Sequence, residues 1–220
     1  MNSFKAILFD LDNTILDRTR TFGQFTNAFL NQFFGHVETT QEIFDRIIDL
    51  DQDGYKDKHE LFSELLDELP WKVRPEHVEL MDFYAEQYVK NAVLMDGAMK
   101  VVTHLRKTYT TGLITNGKTH IQYGKIDQLG IRENFDLILV SEEAGVKKPD
   151  PRIFEMALNK LHILPEECLF IGDHPVNDVE GAVKAGIPAI WMKVNQPWTD
   201  HISAKPLHAI QHLSELLELL

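Results

Sequence analysis

The chain has 220 residues, of which 44% are hydrophobic and 25% are charged, so it can bury a sizeable core as one large domain or two small ones. Its formal net charge of -12 argues against non-specific binding to nucleic acids or anionic membranes, because the long-range field repels polyanions. The single cysteine, Cys168, excludes an internal disulfide and fits a reducing compartment. The first residues lack the apolar length of a signal peptide, and no segment approaches the ~20 apolar residues of a membrane span. We therefore expect a cytoplasmic protein, and the sequence indicates no protein partner.

The first predicted element is a strand that ends abruptly in two carboxylates. Residues 7–14 read ILFDLDNT, an apolar run too short for a helix, followed by Asp10 and Asp12. Side chains two apart on an extended chain share a face and lie within roughly 7 Å of each other. In open parallel sheets, ligands bind at the carboxyl ends of the strands. Asp12, Asn13 and Thr14 are explained equally well as a turn and helix cap.

The next region, from Arg18 to about Lys90, has apolar residues at helical spacing throughout and no strand pattern. The predicted apolar faces are Phe22, Phe25, Phe29 and Phe33; Ile43, Phe44, Ile47 and Ile48; Leu61, Phe62, Leu65, Leu66 and Leu69; and Val78, Met81, Tyr84 and Tyr88. We interpret these stripes as core rather than as a cofactor site. The prediction is a helical domain over residues 17–92, inserted between the two parts, 1–16 and 93–220, of another domain.

After residue 93 the pattern changes to strands that alternate with helices. The predicted elements are a helix at 98–107, a strand ending at 112–115, a helix ended by Gly130, a strand at 137–140, a helix from Pro151 to about His162, a strand at 169–171, a helix at 176–185 ended by Gly186, a strand at 188–192 and a helix from about His208 to Leu219. Repeated strand–helix units indicate a parallel sheet covered on both faces, with right-handed crossovers. The N-terminal strand belongs to this sheet, so the predicted fold is an α/β core with an inserted all-helical domain.

Polar residues suited to phosphate follow two further strands. Thr115, Asn116 and Gly117 offer a hydroxyl, an amide and an approachable backbone ahead of a helix start, where N–H groups bind phosphate. An ordinary Asn-Gly turn explains the same three residues. Lys148 precedes Pro149, which holds it extended near the sheet edge as a fixed positive charge. A solvated surface lysine is the alternative.

Two more acids arrive at the same edge. Asp173 ends another strand and Asp178 follows it, although Asp178 could instead stabilise the start of its helix. With Asp10 and Asp12 these acids would face only Lys148, so they must be protonated or bound to metal. Magnesium prefers a few carboxylates together with waters and phosphate oxygens. The chemistry that follows is an aspartate nucleophile that takes a phosphoryl group, with a second acid that protonates the leaving oxygen and later deprotonates water.

These residues form four ordered motifs: Asp10-x-Asp12-x-Thr14, Thr115-Asn116, Lys148 before Pro149, and Gly172-Asp173 followed by Asp178. In this respect the chain resembles the haloacid dehalogenase superfamily of phosphohydrolases. The resemblance implies a Rossmann-like sheet core, and it identifies the helical domain as the family's C1-type cap, inserted after the first motif.

The resemblance also implies a role for each matching position. Asp10 corresponds to the nucleophile, Asp12 to the general acid/base, and Thr14 to a residue that orients the loop. The groups that hold the transferring phosphoryl correspond to Thr115, Asn116, Gly117 and Lys148, of which Lys148 also counts as catalytic. The positions of the magnesium site correspond to Asp10, to Asp12 through its backbone carbonyl, and to Asp173 as the direct ligand. Asp178 corresponds either to a ligand through water or to an orienting group.

Within the family, Asp12 favours phosphate chemistry, because haloacid dehalogenases proper have a non-acidic residue there and work without metal. The expected activity is magnesium-dependent hydrolysis of small phosphate monoesters. Residues 141–145 and Thr115-Asn116-Gly117 are similar to the branch that cleaves pyrimidine 5'-monophosphates, so a nucleoside 5'-monophosphate is one candidate substrate. A phosphomutase and a phosphoglycolate-type phosphatase are alternatives, and a non-catalytic binding or regulatory protein is the alternative from another class.

Other signals compete less well. Asp49, Asp51, Asp53, Gly54 and Glu60 match EF-hand spacing, but Lys56 replaces the usual aliphatic residue, and residues 57–60 are typical of a helix cap, so we interpret the segment as a solvated acidic turn. His208 and His212 lie one helical turn apart, without the glutamate of a zinc-protease motif, and are predicted to lie on the surface.

Three further residues are candidates for substrate specificity. Arg18 and Phe22 enter the helical domain directly after the first strand, and His174 lies in the loop after Asp173. A helix start with solvated arginines is an equally good interpretation of the first segment. The substrate itself is not fixed by any motif.

Overall fold

A parallel sheet of six strands is the framework of residues 4–220, the part of the chain that the computed structural model describes. Its strands are β1 (Ala6–Phe9), β2 (Thr110–Thr115), β3 (Leu137–Val140), β4 (Cys168–Gly172), β5 (Ala189–Met192) and β6 (His208–Ile210). Their spatial order is β3-β2-β1-β4-β5-β6, and every pairing is parallel. The predicted fold class, α/β with a parallel sheet, is confirmed.

The sheet belongs to one of two compact units into which the chain divides. The sheet unit comprises the residues up to Asp17 together with Leu94–Leu220, and the helical unit comprises Arg18–Val93. Among residues 4–220, no helix has both the length and the apolar character needed to cross a bilayer.

The register of β1 determines which residues meet at the end of the sheet. Phe9 lies opposite Leu113 of β2 and Ile171 of β4. One residue further on, the N–H of Asp10 still donates to the carbonyl of Ile171 at 2.9 Å. Because β1, β2 and β4 run parallel, the loops that follow these three central strands emerge at the same edge.

Burial on both faces explains why the strands are nearly continuous apolar runs. All four residues of β1 are fully buried. On one face, Leu8 and Phe170 belong to a core cluster with Phe154, whose ring centroid is 5.1 Å from that of Phe170. Cys168 belongs to the same cluster and is fully buried.

The helical unit contains α1 (Arg18–Phe33), α2 (Gln41–Asp51), α3 (Lys58–Glu68) and α4 (His77–Lys90). Its core is aromatic and centres on Phe25 of α1. The rings that surround Phe25 include those of Phe22 and Tyr84, with centroids 5.4 Å from its own, Phe29 at 6.1 Å and Phe62 at 6.4 Å. Each such pair contributes about 0.5–1.5 kcal/mol beyond its buried area. The aromatic stripe therefore packs as core, as predicted.

The predicted inner face of α4 is wrong at its first position. Val78 is 62% exposed, whereas Leu80, Tyr84 and Tyr88 are buried. The buried residues recur every four positions and so form one stripe along the helix. The prediction placed Val78 on this stripe, whereas in the structure the stripe begins at Leu80.

The acidic segment between α2 and α3 is tied to two basic side chains. Asp51 is 1% exposed, and its carboxylate oxygens lie 2.6 Å from Arg18 and 2.8 Å from Lys58. Asp57 caps α3 by accepting hydrogen bonds from two backbone N–H groups, as predicted for residues 57–60. The interpretation of the EF-hand-like segment as a solvated acidic turn is therefore wrong for Asp51, which is buried in ion pairs, although Asp49 is exposed.

The remaining helices flank the sheet. They are α5 (Ala98–Leu105), α6 (Thr119–Gln128), α7 (Ser141–Ala144), α8 (Pro151–Leu161), α9 (Gly181–Lys184) and α10 (Leu216–Leu219), and a π-helical turn over Pro175–Glu180 precedes α9. Gly130 and Gly186 follow α6 and α9 with φ values of 65° and 80°, which explains why these helices end there. Asp150 caps α8 and Pro151 is its first residue.

The predicted final helix, from about His208 to Leu219, is wrong. His208–Ile210 is the edge strand β6, paired with β5, and only Leu216–Leu219 is α-helical. His208 and His212 therefore do not lie one turn apart on a helix, although both are exposed as predicted. The strand forms because β5 offers an open edge, which a local helical pattern does not reveal.

Candidate active site

The loop after β1 is a tight turn that fixes the backbone at Asp10 and Asp12. The carbonyl of Leu11 accepts a hydrogen bond from the N–H of Leu16 at 2.8 Å. Asn13, which is buried, adopts a left-handed φ of 59°, a conformation that asparagine tolerates better than most residues. The side chains of Asp10 and Asp12 are thus attached to a hydrogen-bonded, well-defined backbone.

Lys148 is a buried lysine between two acids. Its Nζ lies 2.5 Å from Oδ1 of Asp10 and 2.6 Å from Oδ1 of Asp178. Burial by itself would lower the pKa of Lys148, but the charges of Asp10 and Asp178 raise it above its ordinary value. The lysine is therefore a permanent positive charge beside Asp10.

The side chain of Asn116 holds the backbone of Lys148. Its Nδ2 donates to the Lys148 carbonyl at 3.0 Å, and the Lys148 N–H donates to its Oδ1 at 2.9 Å. The peptide bond between Lys148 and Pro149 is cis. The Asn116 amide group thus joins the end of β2 to the lysine loop, which is a different role from the predicted contact with phosphate.

Asp178 is fixed by its neighbours in the turn after β4. Its Oδ2 accepts from the N–H of His174 at 2.9 Å, while Oδ1 faces Lys148. A Cβ atom on Gly172 would overlap with the Asp178 side chain. Glycine at the end of β4 therefore makes room for the carboxylate.

Three of the four acids that were predicted to converge, all but Asp12, lie together beyond the ends of β1 and β4. Asp10, Asp173 and Asp178 are the one cluster of potential metal ligands found in residues 4–220, and one carboxylate oxygen of each lies within 4.8 Å of the others. Burial raises the pKa of Asp10 to about 7; Lys148 opposes this shift, and the charges of Asp178 and Asp12 add to it. The cluster therefore carries more negative charge than Lys148 balances.

Asp12 has partners that sequence reasoning missed. Both of its carboxylate oxygens lie 2.7 Å from Nζ of Lys125, and Oδ2 also accepts from Gln122 at 3.0 Å. The prediction that the four acids face only one lysine, Lys148, is therefore wrong, because Lys125 of α6 pairs with Asp12. The available signal was the position of Gln122 and Lys125 three residues apart, on the face of α6 that also carries buried Ile121 and Ile126.

The residues after β2 lie at the same edge. Thr115 is buried and its hydroxyl is in close contact with Gln122. Gly117 has a φ of 146°, and its N–H donates to the Ser141 hydroxyl at 3.0 Å. Thr14, expected to orient the first loop by hydrogen bonding, is buried and its hydroxyl has no hydrogen-bond partner among residues 4–220.

The three specificity candidates occupy structural positions. Nδ1 of His174 accepts from two backbone N–H groups at 3.0 Å each and so caps the turn that contains Asp178. Arg18 is bound to Asp51, and its guanidinium lies 5.1 Å from the ring centroid of Phe22. The Phe22 ring is 2% exposed. None of these surroundings supports the predicted substrate contact.

The family follows from a comparison with known proteins. The model of the family described as haloacid dehalogenase-like hydrolase matches residues 7–192. The chain belongs to this family. The motif resemblance is therefore confirmed, and the matched range includes the acidic cluster, Lys148 and the helical unit of this hydrolase.

Relatives of this haloacid dehalogenase-like hydrolase include enzymes named as phosphatases. It is 29% identical to the glyceraldehyde 3-phosphate phosphatase of Pyrococcus furiosus, in an alignment covering 100% of this chain and 94% of the relative. It is 32% identical to the pyrimidine 5'-nucleotidase YjjG of Escherichia coli over 57% of this chain and 56% of the relative. The HAD-hydrolase YfnB of Bacillus subtilis, solved bound to magnesium, superposes with a TM-score of 0.84 at 25% identity, covering 99% of this chain and 98% of that one.

The acidic cluster of this hydrolase fits a divalent cation on its own geometry. Three buried carboxylates with oxygens within 4.8 Å of one another provide the oxygen ligands that a hard cation prefers. Without a cation, burial and neighbouring charges raise the pKa of Asp10 to about 7, which means that its ionised form is disfavoured there. A bound cation would favour the ionised form of Asp10 and reduce the repulsion between its charge and that of Asp178. The carboxylate of Asp12 is not part of the cluster.

Proposed function

We propose that this protein hydrolyses small phosphate monoesters in a magnesium-dependent reaction, through an aspartyl phosphate formed on Asp10. The observation that carries the proposal is the arrangement at the ends of β1 and β4. Asp10 lies 2.5 Å from the Lys148 ammonium and shares a 4.8 Å cluster with Asp173 and Asp178. A carboxylate beside a fixed positive charge and a candidate cation site suits phosphoryl transfer through an aspartyl phosphate.

The reaction has two steps. A carboxylate oxygen of Asp10 attacks phosphorus and forms a P–O bond while the ester P–O bond breaks, and Asp12 gives a proton to the departing oxygen. A water oxygen then attacks the phosphorus of the aspartyl phosphate, Asp12 takes a proton from that water, and the bond to Asp10 breaks to release phosphate. Both residues thereby return to their starting states.

Lys148 and the end of β2 hold the transferring phosphoryl group. The Lys148 ammonium offsets its negative charge, and the Thr115 hydroxyl and the Asn116 backbone complete the binding site, with Gly117 allowing the backbone to approach the phosphate closely. Lys148 can serve this purpose because two hydrogen bonds from the Asn116 side chain fix its backbone. The ammonium is thereby placed before a substrate arrives.

We assign Mg²⁺ to the carboxylates of Asp10 and Asp173, with the backbone carbonyl of Asp12 as a further ligand and Asp178 beside them in the same cluster. When bound, the ion supplies positive charge to the phosphoryl oxygens and counters the repulsion among the acids. Asp178 holds a hydrogen bond from the His174 backbone and a contact with Lys148, so it acts as a ligand through water or as the group that orients Lys148. The choice of Mg²⁺ is supported by the structural relative YfnB, which was solved bound to magnesium.

The substrate class is a small phosphorylated metabolite. The relative aligned over the whole chain is named for glyceraldehyde 3-phosphate, and the relative aligned over 57% of the chain is a pyrimidine 5'-nucleotidase. We therefore place triose phosphates and nucleoside 5'-monophosphates first among the candidates. Phosphoglycolate and sugar phosphates complete the set.

The experiment is a phosphate-release assay with 4-nitrophenyl phosphate, followed by this panel of esters. We expect Mg²⁺-dependent turnover that EDTA abolishes and excess Mg²⁺ restores. Asp10→Asn removes the nucleophile and should reduce turnover by at least about 10³-fold. Asp127→Asn, an exposed aspartate paired with Arg132, is the matched control and should retain activity.

Three results would contradict the proposal in different ways. No metal-dependent turnover of any ester would favour a non-catalytic binding protein. Phosphoryl exchange between sugar phosphates without net release would identify a mutase. Full activity in Asp10→Asn would exclude the aspartyl phosphate on that residue.

A further inference from the structure

The carboxylate of Asp12 is bound by two buried side chains, and part of its surface is exposed to solvent. Lys125 and Gln122 are 1% and 2% exposed, whereas the side chain of Asp12 keeps 24% of its surface exposed. Lys125 contacts both carboxylate oxygens at 2.7 Å, and Gln122 donates to one of them at 3.0 Å. The group is therefore immobilised but remains accessible to a reactant.

Packing alone does not explain this pair. A buried lysine is costly unless it is paired, and apolar residues of similar volume would fill the same space at no such cost. The neighbours Ile121 and Ile126, also buried on α6, show that this face accepts apolar side chains. The polar groups of Lys125 and Gln122 are thus explained by their contacts with the Asp12 carboxylate, and not by packing in the hydrophobic core.

Gln122 also joins Asp12 to the loop after β2. Its amide nitrogen donates to the Asn116 carbonyl at 3.1 Å and is in close contact with the Thr115 hydroxyl. A Cβ atom on Gly117 would lie 3.0 Å from the Gln122 side chain, so the turn and the glutamine are packed together. One side chain therefore sets the position of Asp12 relative to the residues proposed to bind phosphate.

We propose that Lys125 and Gln122 are positioning residues, which hold the Asp12 carboxylate where it exchanges protons with the leaving oxygen and with the attacking water. The inference rests on the proposed function, in which Asp12 is the general acid/base. Neither residue is assigned a contact with substrate.

The two reaction steps depend differently on this positioning when the substrate is 4-nitrophenyl phosphate. Its leaving group departs as a stable nitrophenolate anion and needs no proton from Asp12. In the second step, the water that attacks the aspartyl phosphate must lose a proton to Asp12. A displaced Asp12 therefore slows release of phosphate more than release of nitrophenolate.

The test is rapid-mixing kinetics with Mg²⁺ and substrate in excess, in wild type, Lys125→Met, Gln122→Met, Asp12→Asn and the double variant Lys125→Met/Asp12→Asn. In Lys125→Met we expect one nitrophenolate per enzyme at a rate within about threefold of wild type, then turnover reduced by about 10²-fold. Gln122→Met should show the same split to a smaller degree. The double variant should be no slower than Asp12→Asn, because Lys125 acts through Asp12. Gln128→Met, an exposed position on the same helix, is the matched control.

The inference is overturned if the first nitrophenolate and the later turnover of Lys125→Met fall by the same factor, which indicates a general structural effect. It is also overturned by wild-type kinetics, or by a double variant slower than Asp12→Asn. Should circular dichroism show that Lys125→Met does not fold, Gln122→Met decides by the same criteria. Wild type that releases no nitrophenolate with Mg²⁺ contradicts the proposed function instead.

Discussion

The ammonium of Lys148 lies 2.6 Å from a carboxylate oxygen of Asp178, and both side chains are 2% exposed. They come from different loops, one after β3 and one after β4, so their contact locks two edges of the site together. The same ammonium reaches Asp10 at 2.5 Å. Loss of this lysine would leave two buried carboxylates without their shared cation.

Lys148→Met should therefore lower both stability and activity. Removing one partner of a buried ion pair costs about 3–5 kcal/mol, because the remaining charge is uncompensated. Urea unfolding at low Mg²⁺ should show a decrease of this size, and Lys107→Met, an exposed lysine, should change stability by less than about 0.5 kcal/mol. Equal stability of Lys148→Met and wild type would mean that the lysine does not balance the acids.

Mg²⁺ should stabilise the folded protein through the acidic cluster. A ligand that binds only the native state at a hundred times its dissociation constant adds about 2.7 kcal/mol, which raises Tm by several degrees in a protein of this size. Scanning calorimetry should show the increase with MgCl₂ but not with NaCl at matched ionic strength. In Asp173→Asn the increase should largely disappear, and an unchanged response would place the ion elsewhere.

Gly172→Ala should impair the site through a steric effect. The added Cβ would overlap with Asp178, which must move away from Lys148. We expect the Mg²⁺ concentration for half-maximal activity to rise about tenfold or more, as found when groups that orient ligands are lost. The control is Gly23→Ala in α1, where the added atom lies 3.8 Å from Phe44 and should stabilise the helix by about 0.5–1 kcal/mol. Normal Mg²⁺ dependence in Gly172→Ala would show that Asp178 is not required in its present position.

Cys168 should be inert in the native protein. Burial raises the pKa of its thiol to about 12, so at pH 8 only about one thiol in 10⁴ is ionised. A thiol reagent such as DTNB should therefore react fully in guanidinium chloride but not with the folded protein on the same timescale. Rapid reaction of one thiol under native conditions would contradict the buried position at the start of β4.

The parts of the fold that depend on local signals could be predicted from the sequence. Short apolar runs marked the central strands, and glycines such as Gly130 and Gly186 marked helix ends through their positive φ values. The strand β6 could not be predicted in this way, because it exists only against the edge of β5. The prediction for the first turn of α4 was wrong for a related reason. Val78 is apolar and has helical spacing, but the buried face of the helix depends on which elements pack against it.

The candidate site shows the same division. Polar residues that follow parallel strands are expected to meet at one edge of the sheet, and Asp10, Asp173 and Asp178 do so. The fourth acid of the predicted group, Asp12, turns its carboxylate towards Lys125 instead. Lys125 and Gln122 could not be grouped with them, since they lie inside a helix rather than at a strand end. Their relation to Asp12 becomes visible only when the packing of α6 against the first loop is known.

The central position of β1 also affects how the protein is made. Its hydrogen-bonding partners begin at Thr110 and Cys168, so β1 leaves the ribosome long before either neighbour exists. Pairing over such sequence separations is slow, because a long loop must close before the contacts form. The contiguous helical unit, Arg18–Val93, is synthesised entirely within this interval. A nascent chain released before residue 168 would contain Asp10, the proposed nucleophile, but would lack both β4 and Asp173, and so could not assemble the acidic cluster.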